Sequence, residues 1–122
     1  TLVGVGRVLK ERNPEVKIVG VEPAESPVIS GGKAGAHKIE GIGEGFIPQI
    51  IKENLHLIDS IERVSSSDAI RASRYLARKH GLLVGISSGA NFLVARKLRK
   101  KHRTVVTVFP DRGERYLHIL EK

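Results

Sequence analysis

The sequence contains no cysteine, no methionine and no tryptophan, and only two tyrosines and three phenylalanines among 122 residues. Without cysteine the chain has no disulfide, no zinc–thiolate site and no thiol nucleophile. With so few aromatic rings, the chain has little with which to form a surface that stacks nucleic-acid bases. Because methionine is missing even from the first position, Thr1 is expected to be an internal residue of a longer protein.

Long hydrophobic runs are also missing, and none approaches the ~18–20 residues that span a bilayer. The first ten residues, TLVGVGRVLK, have neither the basic leader nor the cleavage site of a signal peptide. We therefore expect no membrane partner and a cytoplasmic location. Hydrophobic residues make up 40% of the chain, which is more than a disordered chain contains. Residues 1–122 are expected to form a single domain.

Positive charge exceeds negative charge, with 21 lysines and arginines against 13 acidic residues and a net charge of +8. The basic residues concentrate late in the chain, at Arg96, Lys97, Arg99, Lys100, Lys101, His102 and Arg103. We interpret this run as a solvated helix end, where cations interact favourably with the helix dipole. A polyanion-binding surface is the alternative. No DNA- or RNA-reading motif is present, so nucleic acid is not expected as a partner.

Helical and strand patterns alternate along the chain. Apolar residues at helical spacing, with turn residues at their ends, predict helices over residues 2–12, 47–54, 65–80 and 90–101. Short runs rich in β-branched residues predict strands over 16–21, within 55–64, and over 82–86 and 104–109. Residues 22–45, rich in Gly, Pro and Ser, are predicted to form a long ordered loop. The alternation indicates an α/β fold with a mainly parallel sheet and flanking helices.

In such a sheet, ligands bind outside the carboxyl ends of the strands. Three distinctive segments follow predicted strands here, VEPAESP, SSGA and PDRGER. We therefore expect these segments to lie along one edge of the sheet.

The turn GISSGAN places Ser87 and Ser88 where a predicted helix begins. Helix capping is the simplest role for these hydroxyl groups. Gly85, Ser87 and Gly89 also satisfy the bare G-x-S-x-G pattern of a nucleophilic serine. That chemistry needs a base and an acid later in the chain, and His118 alone is weak support.

The segment HKIEGIGEGFIP, residues 37–48, contains G-x-G-x-G and not the G-x-G-x-x-G of dinucleotide sites. Its glycines either allow a ligand to approach the backbone closely or only let the loop bend. Glu40 and Glu44 offer an acid/base pair, although a solvated loop face is the preferred interpretation. The five histidines are scattered, so no metal site is predicted.

Five runs occur together in one order, TLVGVGRVLKE, VGVEPAESPVISGG, HKIEGIGEGFIP, GLLVGISSGAN and PDRGERYL. In these runs the chain resembles the C-terminal part of the cysteine synthase (O-acetylserine sulfhydrylase) family of fold-type II pyridoxal phosphate enzymes. The resemblance covers almost the whole chain. It implies the large-domain portion of the tryptophan synthase β-like fold and pyridoxal 5'-phosphate as cofactor.

The resemblance also implies roles for individual residues. Thr1 matches the last residue of the family's phosphate-binding loop, and Ser87 matches the serine that meets the pyridine nitrogen of the cofactor. Gly41, Ile42 and Gly43 match the loop that approaches the cofactor and the substrate. Supporting roles are implied for Ser88 and Asp111.

The implied reaction is β-replacement, in which O-acetylserine and sulfide give cysteine and acetate. A neutral hydroxyl at the pyridine nitrogen does not enforce its protonation, which favours loss of a β-substituent over racemisation. The lysine that carries the cofactor belongs to the family's N-terminal half, so we expect no catalytic residue in this chain and no activity from it alone. The expected partners are the missing N-terminal part, an amino-acid substrate, sulfide and a second subunit in a homodimer.

Two features depart from the family pattern, Arg112, where many members have a small residue, and the ending HILEK. The resemblance leaves open a cystathionine β-synthase-like or dehydratase-like enzyme. A different class also stays open, a truncated non-catalytic domain that binds a partner or a polyanion.

Overall fold

The structure is a computed structural model that describes residues 1–121. Its helices are α1 (Leu2–Arg12), α2 (Gln49–Lys52), α3 (Ser66–His80), α4 (Ile86–Leu98) and α5 (Leu117–Leu120). Its strands are β1 (Val19–Pro23) and β2 (Ser60–Val64), and 3-10 turns cover Leu55–Leu57 and Gly113–Tyr116.

The two strands run parallel, with Val19 opposite Ser60 and Pro23 opposite Val64. A parallel pair requires a long crossover, and residues 24–59 supply it. Helix α4 packs against both strands and against α3. The predicted α/β fold with a parallel sheet and flanking helices is therefore confirmed.

Two of the four predicted strands are wrong. Residues 82–86 form only one antiparallel bridge, between Val84 and Arg112. Residues 104–109 form no strand within the described chain, and Val106 is 87% exposed. A β-branched run becomes a strand only when a neighbouring backbone shares its hydrogen bonds. Residues 1–121 place no strand beside residues 104–109, and the side chain of Asn91 donates to the Val108 carbonyl at 3.0 Å.

Helix α4 begins four residues earlier than the predicted start at residue 90, and it ends at Leu98. The prediction was wrong because the serine pair belongs to the first helical turn and not to the turn before it. Gly85 is the extended residue at the boundary, with φ −69° and ψ 172°. A Cβ on Gly89 would overlap the Ala69 carbonyl oxygen, so the close crossing of α3 and α4 requires glycine here.

Helix α3 follows its prediction closely. The Ser65 side chain caps its start by accepting a hydrogen bond from the Asp68 backbone N–H at 3.1 Å. Gly81 ends it in the left-handed region with φ 67°, which costs glycine little. The bounds of α1 also match the prediction, whereas β1 begins at Val19 and the predicted helix over 47–54 contracts to the single turn of α2.

The long loop between β1 and α2 is held by two acidic side chains. Glu22, only 1% exposed, accepts hydrogen bonds from the backbone N–H groups of Ile29 and Ser30 at 3.0 and 3.2 Å. Glu25 accepts from the Ser66 N–H at 2.7 Å. Ile39, fully buried, joins the loop to the core cluster. The predicted long ordered loop is therefore present, and the two acidic side chains that hold it were not predicted.

Helices long and apolar enough to cross a lipid bilayer are absent from residues 1–121.

Asp59 joins the amino-terminal helix to the sheet, and its charge is expected to stabilise the fold. Lys10 Nζ lies 2.8 Å from Asp59 Oδ2, which also accepts from the Ile18 N–H at 2.7 Å. The Lys10 contact, followed by the Ile18 hydrogen bond, lowers the pKa of Asp59 from 3.8 to about 2. The stabilisation of the folded state by ionised Asp59 is complete above the ordinary pKa of the carboxyl group. It is lost as the pH falls through about 2.

We expect Asp59→Asn to lower the free energy of unfolding by about 1–2 kcal/mol at pH 7, with a smaller loss at lower pH. Urea titrations at pH 7 and at lower pH measure both values. Glu11→Gln, which neutralises an exposed carboxylate on α1, the helix that carries Lys10, is the control. Equal losses for the two variants would contradict the role of Asp59.

Candidate functional site

Three distant parts of the chain meet around a cleft of about 280 Å³. They are residues 40–45, which we call the glycine loop, the first turn of α4 and the segment that follows residue 109. The residues that line the cleft are Glu40, Gly41, Ile42, Ser87, Pro110, Asp111, Arg115 and Tyr116. Two of the three segments predicted to share an edge therefore meet here, whereas VEPAESP contributes no lining residue.

The cleft holds some of the predicted site residues and not others. Gly41, Ile42, Ser87 and Asp111 line it. Gly43 belongs to the same loop but is not a lining residue, and Ser88 is fully buried behind the surface. Thr1 lies at the start of α1, where its carbonyl accepts from the Val5 N–H at 2.9 Å. Thr1 does not line this cleft either.

The histidine ring of His37 holds the glycine loop in place. Its Nδ1 accepts a hydrogen bond from the Ile39 N–H at 3.2 Å. The ring proton therefore resides on Nε2, which donates to the Gly43 carbonyl at 2.8 Å. Gly43 has φ 68°, and a Cβ there would lie 2.6 Å from the Pro23 ring. The loop conformation thus depends on glycine at residue 43 and on a neutral imidazole at residue 37.

Asp111 and Tyr116 form the opposite wall. The Tyr116 hydroxyl donates to Asp111 Oδ2 at 2.6 Å. This hydrogen bond, together with burial and the nearby negative charges, raises the pKa of Tyr116 to about 12. The phenol is therefore a stable hydrogen-bond donor at neutral pH and not a proton acceptor.

The carboxylate of Asp111 packs directly on Gly85. A Cβ on Gly85 would overlap Asp111 Oδ1, and the Gly85 N–H donates to the Asp111 carbonyl at 3.1 Å. The Gly113 N–H donates to the Leu83 carbonyl at 3.0 Å. These contacts dock the segment after residue 109 onto the residues that precede α4.

The first turn of α4 offers hydrogen-bonding groups to this cleft. Gly85, at the N-cap position, has no side chain to cap the helix. Backbone N–H groups at a helix start lack partners within the helix. The Ser87 hydroxyl adds a neutral donor and acceptor on the cleft surface.

A second cleft, of about 510 Å³, lies beside the first and shares Glu40 with it. Its other lining residues are His37, Lys38, Ile70, Arg74, His118 and Ile119. His118 is therefore placed on the second cleft, whereas Ser87 is placed on the first. This arrangement offers no support for the serine–histidine pairing considered from the sequence. Groups of three or more side chains able to hold a metal ion are absent from residues 1–121.

The sequence pattern gave no role to His37, placed Gly85 only in the G-x-S-x-G pattern, and did not pair Tyr116 with Asp111. Tyr116 lies in the run PDRGERYL that was singled out, but only the fold brings its hydroxyl to Asp111. His37 opens the run HKIEGIGEGFIP, and its ring contacts residues two and six positions later. Residues 37–43 and Asp111 lie outside the helices and strands, so hydrophobic periodicity does not reveal these contacts.

Comparison with known protein families matches residues 1–111 to "Pyridoxal-phosphate dependent enzyme". The cysteine synthase of Staphylococcus aureus strain Mu50 is 49% identical over 120 residues, which are 96% of this chain and 38% of that protein. Cysteine synthase B of Campylobacter jejuni is 51% identical over 119 residues, with 96% and 39% covered. The chain thus spans about two-fifths of the curated relatives that it matches.

Solved structures show the same similarity. O-acetylserine sulfhydrylase isoform 3 from Entamoeba histolytica superimposes with a TM-score of 0.93 at 40% identity, covering 100% of this chain and 38% of that one. The O-acetylserine dependent cystathionine β-synthase from Helicobacter pylori gives 0.86 at 43% identity, covering 97% and 39%. These structures include two different activities on the same fold.

The smaller cleft fits the ring end of pyridoxal phosphate better than its phosphate. Asp111 Oδ1 is buried without a hydrogen-bond partner among the described residues, so it disfavours an anion nearby. The Ser87 hydroxyl suits a ring nitrogen, since it both donates and accepts. A phosphate suits the uncapped start of α1 at Thr1, where no acidic side chain occupies the first turn.

We expect His37→Ala to free the glycine loop. Loss of two hydrogen bonds, each worth about 1 kcal/mol, raises local opening of residues 41–43 by roughly ten-fold or more. Amide hydrogen exchange followed by mass spectrometry measures this change. His56→Ala, at an exposed histidine outside both clefts, is the control. Unchanged exchange in the His37 variant would show that other contacts hold the loop.

Proposed function

The chain belongs to the family of pyridoxal-phosphate dependent enzymes, and on that premise we propose that it is the C-terminal part of a cysteine synthase. The proposed reaction replaces the acetate of O-acetylserine by sulfide to give cysteine. The observation that carries this proposal is the meeting of Gly41, Ile42 and Ser87 on one cleft, although Ser87 lies 45 positions after Ile42 in the sequence. The similarity to cysteine synthases over 96% of the chain supports it.

In the proposed site, pyridoxal phosphate supplies an electron sink for the negative charge that develops at the substrate α-carbon. Ser87 binds the pyridine nitrogen. Its hydroxyl carries no net charge, so it orients the ring without fixing a full positive charge on it. This moderate electron demand suits loss of a β-substituent.

The glycine loop covers the same cleft from the other side. Gly41, which lines the cleft, has no side chain, and this lets the backbone approach a flat ring closely. The His37 hydrogen bonds keep that backbone in one conformation, so less freedom is lost when a ligand binds. Thr1, at the uncapped start of α1, is assigned to the phosphate end of the cofactor.

The remaining groups are assigned to the rest of the polypeptide. We assign the lysine that carries the cofactor to a segment before Thr1. The cofactor-binding role of this chain is therefore a shared one, completed by that segment. We further propose that the complete enzyme is a homodimer in the cytoplasm and that its substrates are an amino acid and sulfide.

A second candidate is an O-acetylserine-dependent cystathionine β-synthase. The Helicobacter pylori enzyme with that name is 43% identical to this chain, slightly more than the Entamoeba sulfhydrylase at 40%. The two reactions share the amino-acid donor and differ in the thiol acceptor. A comparison of acceptors therefore separates them.

The experiment uses the complete polypeptide that contains this chain, and the 122-residue chain alone as the matched control. We expect the complete polypeptide to bind pyridoxal phosphate and to form cysteine from O-acetylserine and sulfide. We expect the isolated chain to form none. Preferred use of homocysteine over sulfide would favour the second candidate, and no cofactor binding by the complete polypeptide would reject both.

Ser87→Asp tests the proposed role of the neutral hydroxyl. A carboxylate at the pyridine nitrogen holds it protonated and strengthens the electron sink, which favours side reactions at the α-carbon. We expect the rate of cysteine formation by the complete enzyme to fall roughly ten-fold or more. Ser67→Asp makes the same change in the first turn of α3, at an exposed position, and is expected to retain the rate. Unchanged turnover in the Ser87 variant would contradict the assignment.

A further inference from the structure

The ring of His37 joins two parts of the chain through nitrogens of opposite hydrogen-bonding character. Its Nδ1 accepts from the Ile39 N–H at 3.2 Å, and its Nε2 donates to the Gly43 carbonyl at 2.8 Å. Only a neutral imidazole has one acceptor nitrogen and one donor nitrogen. The glycine loop is therefore held by a side chain whose hydrogen-bonding pattern depends on its protonation state.

A proton on Nδ1 is incompatible with this arrangement. An imidazolium donates from both nitrogens, so Nδ1 no longer accepts and its new N–H faces the Ile39 N–H. Either two donors then face each other, or the ring turns and loses the Gly43 carbonyl. The Ser26 hydroxyl lies 3.5 Å from the same carbonyl oxygen, which is too long to replace the lost hydrogen bond.

Protons reach this ring from solvent. His37 is partly exposed and lines the larger cleft. Histidine is the side chain that ordinarily changes its charge between about pH 5 and pH 8. The hydrogen-bonding pattern that holds the loop is therefore sensitive to pH in a range that most proteins tolerate.

Charged groups of both signs surround the ring. The loop, α3 and α5 contribute titratable groups to the same cleft, namely Lys38, Glu40, Arg74 and His118. From the segment after β1 comes Glu25. Burial raises the pKa of its carboxyl group, but hydrogen bonds from Ser66 and the nearby charge of His37 hold that pKa below the ordinary value. Within residues 1–121, none of these groups replaces Nδ1 as the acceptor for the Ile39 N–H.

We propose that His37 is a pH-sensitive switch for the glycine loop, which is closed when the ring is neutral and released when Nδ1 binds a proton. The released loop binds one more proton than the closed loop, so the closed loop gains stability as the pH rises. Gly41 and Ile42 line the smaller cleft, so release loosens one wall of that cleft. The switch is a property of this chain, whereas its effect on cofactor binding rests on the proposed function.

The test measures opening of the loop in the complete polypeptide that contains this chain. Amide hydrogen exchange of residues 41–43, corrected at each pH for the exchange rate of an unstructured peptide, gives a protection factor that does not depend on turnover. We expect this protection to fall roughly five-fold between about pH 8 and about pH 5.5, because one hydrogen bond is lost. Constant protection over this range would overturn the proposal.

His37→Asn separates the ring from the other titratable groups. The side-chain oxygen of asparagine accepts the N–H two residues later and does not titrate. We expect this variant to have lower protection of residues 41–43 at every pH, without the fall at low pH. His118→Asn removes the other histidine of the larger cleft and is expected to keep the wild-type fall. A fall that persists in the His37 variant, or disappears in the His118 variant, assigns the effect to another group and rejects the switch.

A second measurement decides even if His37→Asn does not fold. The residue-assigned ¹⁵N spectrum of the histidine rings in the wild-type polypeptide reports both the tautomer and the protonation midpoint of His37. We expect the neutral ring to carry its proton on Nε2, and its protonation midpoint to coincide with the midpoint of loop opening. A neutral ring protonated on Nδ1, or midpoints that differ by more than about one pH unit, would contradict the proposal.

Failure of this inference is distinguishable from failure of the proposed function. A wild-type polypeptide that forms no cysteine rejects the proposed reaction and leaves the exchange comparison interpretable. A wild-type polypeptide that forms cysteine, with loop protection that does not change with pH, rejects only the switch at His37.

Discussion

The close backbone contacts at two glycines determine the arrangement of the site. Gly89 brings α4 against the Ala69 carbonyl of α3, and Gly85 brings the boundary of α4 against the Asp111 carboxylate. Any side chain at either residue overlaps its neighbour, so the helix start, the helix crossing and the docked segment depend on one another. The Ser73 hydroxyl strengthens the same junction, since its Oγ lies within hydrogen-bond distance of the Val84 and Gly85 carbonyls, at 2.8 and 2.7 Å. The cleft is a consequence of this junction, because Ser87 and Asp111 reach its surface from the two sides.

Local patterns in the sequence were sufficient for elements whose stability is mainly local. The predictions for α1 and α3 agree with the structure, because helical spacing, a Ser65 cap and a terminal Gly81 act within a few residues. The predicted strands at 82–86 and 104–109 were wrong because a strand also needs a partner backbone. The start of α4 was misplaced because Ser87, Ser88 and Gly89 disfavour helix by propensity, whereas tertiary packing places them in its first turn.

The candidate site was predictable in its segments but not in its contacts. The resemblance to the cysteine synthase family implied roles for Gly41, Ile42 and Ser87, and the fold brings these residues to one cleft. The sequence does not reveal that His37 fixes the loop by both ring nitrogens, or that Tyr116 restrains Asp111. Those contacts depend on side-chain direction after folding, which neither hydrophobic period nor residue composition encodes. Thr1 does not line the cleft, and its assignment to the phosphate end of the cofactor stays a prediction.

The extended residues 104–109 have a consequence for the handling of the isolated chain. Val106 and Val108 are 87% and 50% exposed, and Phe109 is 39% exposed. A stretch of β-branched side chains with open backbone hydrogen-bonding groups is a template for intermolecular β-pairing. We therefore expect the isolated polypeptide to self-associate through this stretch. The associated fraction is expected to rise with protein concentration, which limits solubility.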